Sequence, residues 1–170
     1  MIAKALIGAA FALALAIPAA SAQGKADKAD QKFLTEAIQG NYAEVEMGKL
    51  AQQKGQSEAV KSFGQMLVTD HSAANEKAIA AAKQMGVTPP SGPSDKQKAD
   101  HDKMAKMSGA DFDRSFARDM VADHKKDIQA YEKEAKQKDP AGEYASASLP
   151  TLHKHLDAAQ RIEQGKSASR

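Results

Sequence analysis

Residues 61–71 read KSFGQMLVTDH, and residues 114–124 read RSFARDMVADH. The two segments share Ser-Phe and then Val-x-Asp-His in one register, fifty-three positions apart. Phe63 and Phe116 each precede a histidine, His71 and His124, by eight residues. At about 100° per residue in an α-helix, eight steps turn a side chain by only about 80°, so each His lies on the same apolar side as its Phe. Asp70 and Asp123 fall about 20° to the other side of Phe, nearer the rim of that face. A helix repeated in this way is what duplication of a helical hairpin leaves behind.

The rest of the chain extends the same periodicity. Upstream, Lys28 to about Lys54 places Leu34, Ala37, Ile38, Val45, Gly48 and Ala51 on one face, and Gly55 ends it. Ser57 caps the next helix, which runs to Met85 with Val60, Phe63, Leu67, Ala74 and Ala78 on its stripe; Gly86 closes it. Residues 87–94 (VTPPSGPS) hold three of the six prolines and are not helical. A short polar helix, Asp95 to Met107, is expected next. Ser108-Gly109-Ala110-Asp111 reads as a capping box opening a third long helix, which carries Phe112, Phe116, Met120, Ile128 and Tyr131 to about Lys138. Asp139 to Gly142 reads as a tight connection. The fourth long helix, about Glu143 to Gln164, shows Leu149, Leu152, Leu156 and Ala159, with Pro150 kinking it or marking its true start.

The expected fold is therefore all-α: a ferritin-like four-helix bundle, with a long crossover and a short extra helix between helices 2 and 3. Residues 23–165 form a single helical-bundle domain, and 166–170 a frayed tail. Strand formers are scarce, since Val, Ile and Thr supply only 13 residues after position 22.

Residues 1–22 are set apart. Lys4 precedes an apolar run from Ala5 to Ile17, Pro18 breaks it, and Ala20-Ser21-Ala22 supplies a small-x-small cleavage pattern. This reads as a secretory signal peptide cut after Ala22. Its 13-residue run is too short for a membrane helix, which needs roughly 20 residues. No later stretch approaches that length. The expected location is periplasmic, with secretion or outer-membrane association as variants.

Composition narrows the function classes. The 170 residues contain no Cys, which excludes disulfides, zinc fingers, Fe–S clusters and thiol catalysis. With 24 Lys+Arg against 22 Asp+Glu there is no concentrated basic face for a nucleic acid. No Gly-x-Ser-x-Gly, phosphate loop or dinucleotide fingerprint occurs, and the seven methionines read as core filler. No catalytic residue or organic cofactor is assigned. Protein partners and homo-oligomerisation are left open.

What remains is a set of inward polar residues. The same projection puts Glu44 on the apolar side of the first helix and His155 at the margin of the Leu149/Leu152/Leu156 stripe. Each long helix thus offers one such residue near its middle: Glu44, His71, His124 and His155. Helices of similar length packed side by side bring these to one level. One carboxylate and three imidazoles suit one divalent transition metal, Zn, Cu, Mn or Fe, with Asp70, Asp123 and Asp127 as supporting partners. The alternative is a metal-free polar layer in which His71 bonds Asp123 and His124 bonds Asp70. No Glu stands three residues before any of these histidines, so the di-iron Glu-x-x-His signature is missing and di-iron chemistry is not expected. His101 and His153 read as solvated.

These residues resemble a family. Ala43 to Ala51 (AEVEMGKLA), Ser57 with Val60 to Phe63, Met66 with Asp70-His71, Ser108-Gly109 with Phe112 to Arg114, Met120-Val121 with Asp123-His124, and Leu149-Pro150 with Leu152 and His155-Leu156 are similar to exported bacterial proteins of unknown function. The resemblance covers about Asp30 to Ile162, with Phe116 where the family often has Tyr. It implies a signal peptide, a ferritin-like fold and paired Asp-His helices, and no activity.

Two function classes follow. One is an exported bundle protein holding a divalent metal mid-bundle, in envelope stress or metal handling. The other is a structural or interaction protein of the cell envelope with a metal-free His/Asp packing layer. An oxidoreductase would further require an open coordination position and a substrate pocket.

Overall fold

Side-chain oxygens set where most of the helices begin. The computed structural model describes residues 26–165, which form α1 (Lys28–Lys54), α2 (Glu58–Gln84), α3 (Asp95–Ala105), α4 (Gly109–Glu134) and α5 (Pro140–Glu163). The expected signal peptide and the tail 166–170 lie outside the described residues. Asp27 caps α1 in a reciprocal box with Asp30, and Ser94 does the same for α3 with Gln97. Ser57 caps α2, and Asp139 caps α5. No helix among the described residues is long and apolar enough to cross a membrane.

Details of the helix ends differ from the sequence expectation. Ser108 makes no capping bond; Gly109, at φ +60°, opens α4 and Asp111 pairs with Arg114 instead. α4 ends at Glu134, and α5 starts at Pro140, three residues before the expected Glu143. A proline at the first helical position lacks only an N–H that would have no helical partner, so it starts the helix. Pro150 lies inside α5, and the helix continues through it. The carbonyl four residues earlier, on exposed Ser146, loses its partner where solvent can replace it.

The four long helices stand in the order α1, α2, α5, α4 around the bundle, with α1–α2 and α4–α5 as the two hairpins. Asp113 of α4 accepts hydrogen bonds from the Gln56 and Ser57 amides, 2.9 Å each, so α4 starts beside the α1–α2 turn. At the other end, the Ala26 amide bonds the Met85 carbonyl. The chain between α2 and α4 must therefore run back along the bundle, and α3 lies on that crossover against α1 and α4. This is the long-crossover form of a four-helix bundle, as expected.

α1 and α2 meet backbone to backbone. A Cβ on Gly48 would lie 2.6 Å from the Gly64 carbonyl oxygen, and one on Gly64 2.6 Å from that of Gly48. The core forms two apolar clusters. One holds Leu34, Ile38, Ala78, Ile128 and Leu152; the other holds Val60, Phe63, Leu67, Phe112, Phe116 and Met120. The level between them is polar.

Candidate metal centre

Three buried imidazoles fill that level. His71 of α2, His124 of α4 and His155 of α5 are 5%, 1% and 0% exposed. One ring nitrogen from each lies within 4.8 Å of the others. Each histidine sits where its helix passes from one apolar cluster to the other. Phe63 closes the group on one side, its ring centroid 6.1 Å from that of His155 and 6.5 Å from that of His124.

The outer hydrogen bonds fix how each ring is protonated. His124 Nδ1 lies 3.0 Å from the Met120 carbonyl oxygen, which only accepts, so Nδ1 carries the proton. His155 Nε2 lies 2.9 Å from Asp70 Oδ2 and donates to that carboxylate. Asn41 donates its amide N–H to the Tyr144 hydroxyl at 3.0 Å and accepts from His71 Nδ1 at 2.9 Å. Tyr144 is held in turn by the Tyr131 hydroxyl, 3.1 Å away. Neutral rings with these outer protons present bare lone pairs on His71 Nε2, His124 Nε2 and His155 Nδ1.

Those lone pairs have no partner among the described residues. His124 Nε2 and His155 Nδ1 face each other at 3.3 Å, acceptor against acceptor. His71 Nε2 is buried with no hydrogen bond. Two nitrogens about 3.3 Å apart are at the separation that metal–nitrogen bonds of about 2.0–2.1 Å give in a tetrahedral site. A fourth buried group adds a carboxyl: Glu44 of α1 is 6% exposed, its Oε2 is unbonded, and Oε1 lies 4.0 Å from His124 Nδ1.

Burial keeps the imidazoles neutral. It pushes His71 well below the usual histidine range, helped by His124 and His155. It lowers His124 to about 4, with His155 adding to the effect. His155 is lowered by burial against the opposing pull of Asp70. Burial also raises the Glu44 carboxyl well above its ordinary range, reinforced by Asp127 and Asp123. Neutral imidazole is the form that ligates a metal.

Of the residues expected to converge, the structure brings the three histidines together. Glu44 adjoins His124 on the side of its outer nitrogen and is not among the converging atoms. Asp70 orients His155 rather than His124, and His71 bonds Asn41 rather than Asp123, so the reciprocal His–Asp pairing is not formed. Asp123 is exposed, while Asp127 is half-buried one turn further along α4. His153 is exposed, and His101 is half-buried near Asp102, 3.6 Å away. Asn41, Tyr144 and the Met120 carbonyl are additions. Asn41 stands three residues before Glu44, hence on the same face of α1, which was the available signal.

Residues 15–162 match a family described as a domain of unknown function, DUF4142. No curated protein matches the chain. A solved structure, the crystal structure of a DUF305 fragment from Deinococcus radiodurans, is similar in fold, with a TM-score of 0.72 at 12% identity. The alignment covers 83% of this chain and 99% of that one.

Proposed function

Starting from a chain that belongs to the DUF4142 family, we propose that His71, His124 and His155 bind one divalent transition metal and that the protein handles that metal in the cell envelope. The supporting observation is the orientation of three lone pairs. Every outer ring nitrogen is committed to a fixed partner, while every inner one faces another acceptor or nothing. A purely structural polar layer satisfies its buried groups; this one leaves them unsatisfied on the side where they meet. Outer partners that hold a ligating imidazole by its second nitrogen are the usual support of a metal site.

Three imidazoles favour zinc, copper or iron over manganese, which prefers oxygen ligands. Glu44 supplies the nearest buried carboxyl, held toward its protonated form by burial, and Asp70 the outer carboxylate. Three protein ligands leave one coordination position free. The N-terminal apolar stretch and its Ala20-Ser21-Ala22 pattern support export to the periplasm.

Elemental analysis of protein purified after metal-replete growth tests this reading. The expected content is about one metal ion per chain, falling below about one in ten for His71→Ala and His124→Ala. Wild-type protein with less than that, or variants that retain the full content, would remove the reading.

A further inference from the structure

We propose that the cleft beneath α3 is the route by which a hydrated divalent cation reaches the histidine triad, passing Asp127 and then Glu44. The inference rests on the metal reading of the triad. The cleft has a volume of about 440 Å³ and lies between α1, α3 and α4. Its buried lining is mixed, with Phe33, Met120 and Leu152 beside three polar residues, Asn41, Glu44 and His71. Two of these hold atoms that nothing among the described residues satisfies, Glu44 Oε2 and His71 Nε2, on side chains only 6% and 5% exposed. A buried unbonded carboxyl oxygen and an unbonded imidazole nitrogen lining one cleft make a place for a cation to arrive.

The rim carries the matching charge. Asp123 and Asp127 stand four residues apart on α4, one helical turn, so both face the cleft. Glu36 and Glu46 of α1 line it from the opposite side. Asp100 of α3 also lines it, but Lys96 pairs with that carboxylate at 2.6 Å, so the two charges cancel locally. Lys126 is the other lysine in the lining. The rim is acidic, and carboxyl groups run inward from exposed Asp123 through half-buried Asp127 to buried Glu44, which burial holds toward its protonated form in the metal-free cleft. An acidic rim of this kind concentrates cations at the mouth of the cleft.

A second pocket also touches His71, from the α2–α5 side, and it is the less suitable entrance. Its volume is about 180 Å³. Its carboxylate, Asp70, is already engaged by His155 at 2.9 Å and Lys154 at 3.5 Å, and Lys77 lines it as well. A dication approaching there meets lysine charge and no free carboxylate.

Stopped-flow binding of Co²⁺ to the full metal-free chain, followed by the visible absorption of the bound ion, tests the route. The Asp123→Asn/Asp127→Asn double variant is expected to bind about tenfold more slowly at low ionic strength and to reach the same final spectrum. Added salt should narrow the gap by slowing the wild type. Lys77→Glu, in the other pocket, should leave the rate unchanged. A double variant that binds at the wild-type rate, or a Lys77→Glu variant that binds faster, overturns the route while leaving the metal site intact. A wild-type chain that takes up no Co²⁺ overturns both.

Discussion

His124 Nε2 and His155 Nδ1 point their lone pairs at each other across 3.3 Å inside the bundle. Two acceptors at that distance repel, and neither ring can turn its proton inward without abandoning an outer bond. His124 would lose the Met120 carbonyl, and His155 would lose Asp70. Leaving a buried acceptor unmet costs about 1–3 kcal/mol. A bound cation removes that cost and converts the two repelling lone pairs into ligands.

The tautomers themselves are observable. Nitrogen-15 NMR of the metal-free protein at neutral pH should show His71 and His124 protonated at Nδ1 and His155 at Nε2. His124 protonated at Nε2 would mean that the two rings share an ordinary hydrogen bond and need no ion.

Asp70→Ala should weaken metal binding about 10–100-fold, the usual cost of losing an outer partner of a ligating histidine. The His155 ring would then be free to change tautomer and rotate. The readout is Zn²⁺ affinity by competition with a chelating dye, with thermal melting to show that the bundle is intact. Unchanged affinity would place Asp70 outside the site.

Two glycines on α1 should respond to alanine with opposite signs. Gly48→Ala drives a Cβ to within 2.6 Å of a backbone oxygen on α2, so the helices must separate, at a cost of about 1–3 kcal/mol. Gly40→Ala meets nothing within 4 Å and should stabilise the helix by about 0.5–1 kcal/mol. Chemical denaturation measures both; equal effects would contradict the close α1–α2 approach.

Stability should fall as pH rises from about 4.5 to about 7 through Glu134. Burial, with Asp30, Asp139 and Asp27 nearby, lifts this carboxyl from 4.5 to about 7. Below pH 4.5 the group is protonated in both folded and unfolded chains and contributes no difference. Above pH 7 it is ionised in both, and the folded state carries the full penalty, about 1–2 kcal/mol after solvent screening. Glu134→Gln should therefore stabilise the protein at pH 8 and leave it unchanged at pH 4. A variant less stable than wild type at pH 8 would contradict this sign.

The bundle was legible because periodicity and caps are local. Ser57, Gly86 and the Pro-rich 87–94 segment mark their boundaries without reference to the rest of the fold. The start of α5 was less so, because Asp139-Pro140 reads equally as a turn and as a cap followed by a first-turn proline. The histidines of the site were legible for the same local reason: the Phe-to-His spacing turns His71 and His124 inward whatever they pack against. Their partners depend on which helices are neighbours. α2 packs on α1 and α5 and lies diagonal to α4, so the rim residue Asp70 reaches His155 and His71 reaches Asn41. No periodicity in one chain encodes that order. A backbone carbonyl such as that of Met120 carries no residue signal at all.

The most direct measurement is an anomalous difference map from crystals soaked in Zn²⁺ and recorded at the zinc edge. One strong peak is expected within about 2.0–2.2 Å of His71 Nε2, His124 Nε2 and His155 Nδ1 together. An empty triad with zinc only outside the bundle core, at exposed His153 or half-buried His101, would contradict the metal site.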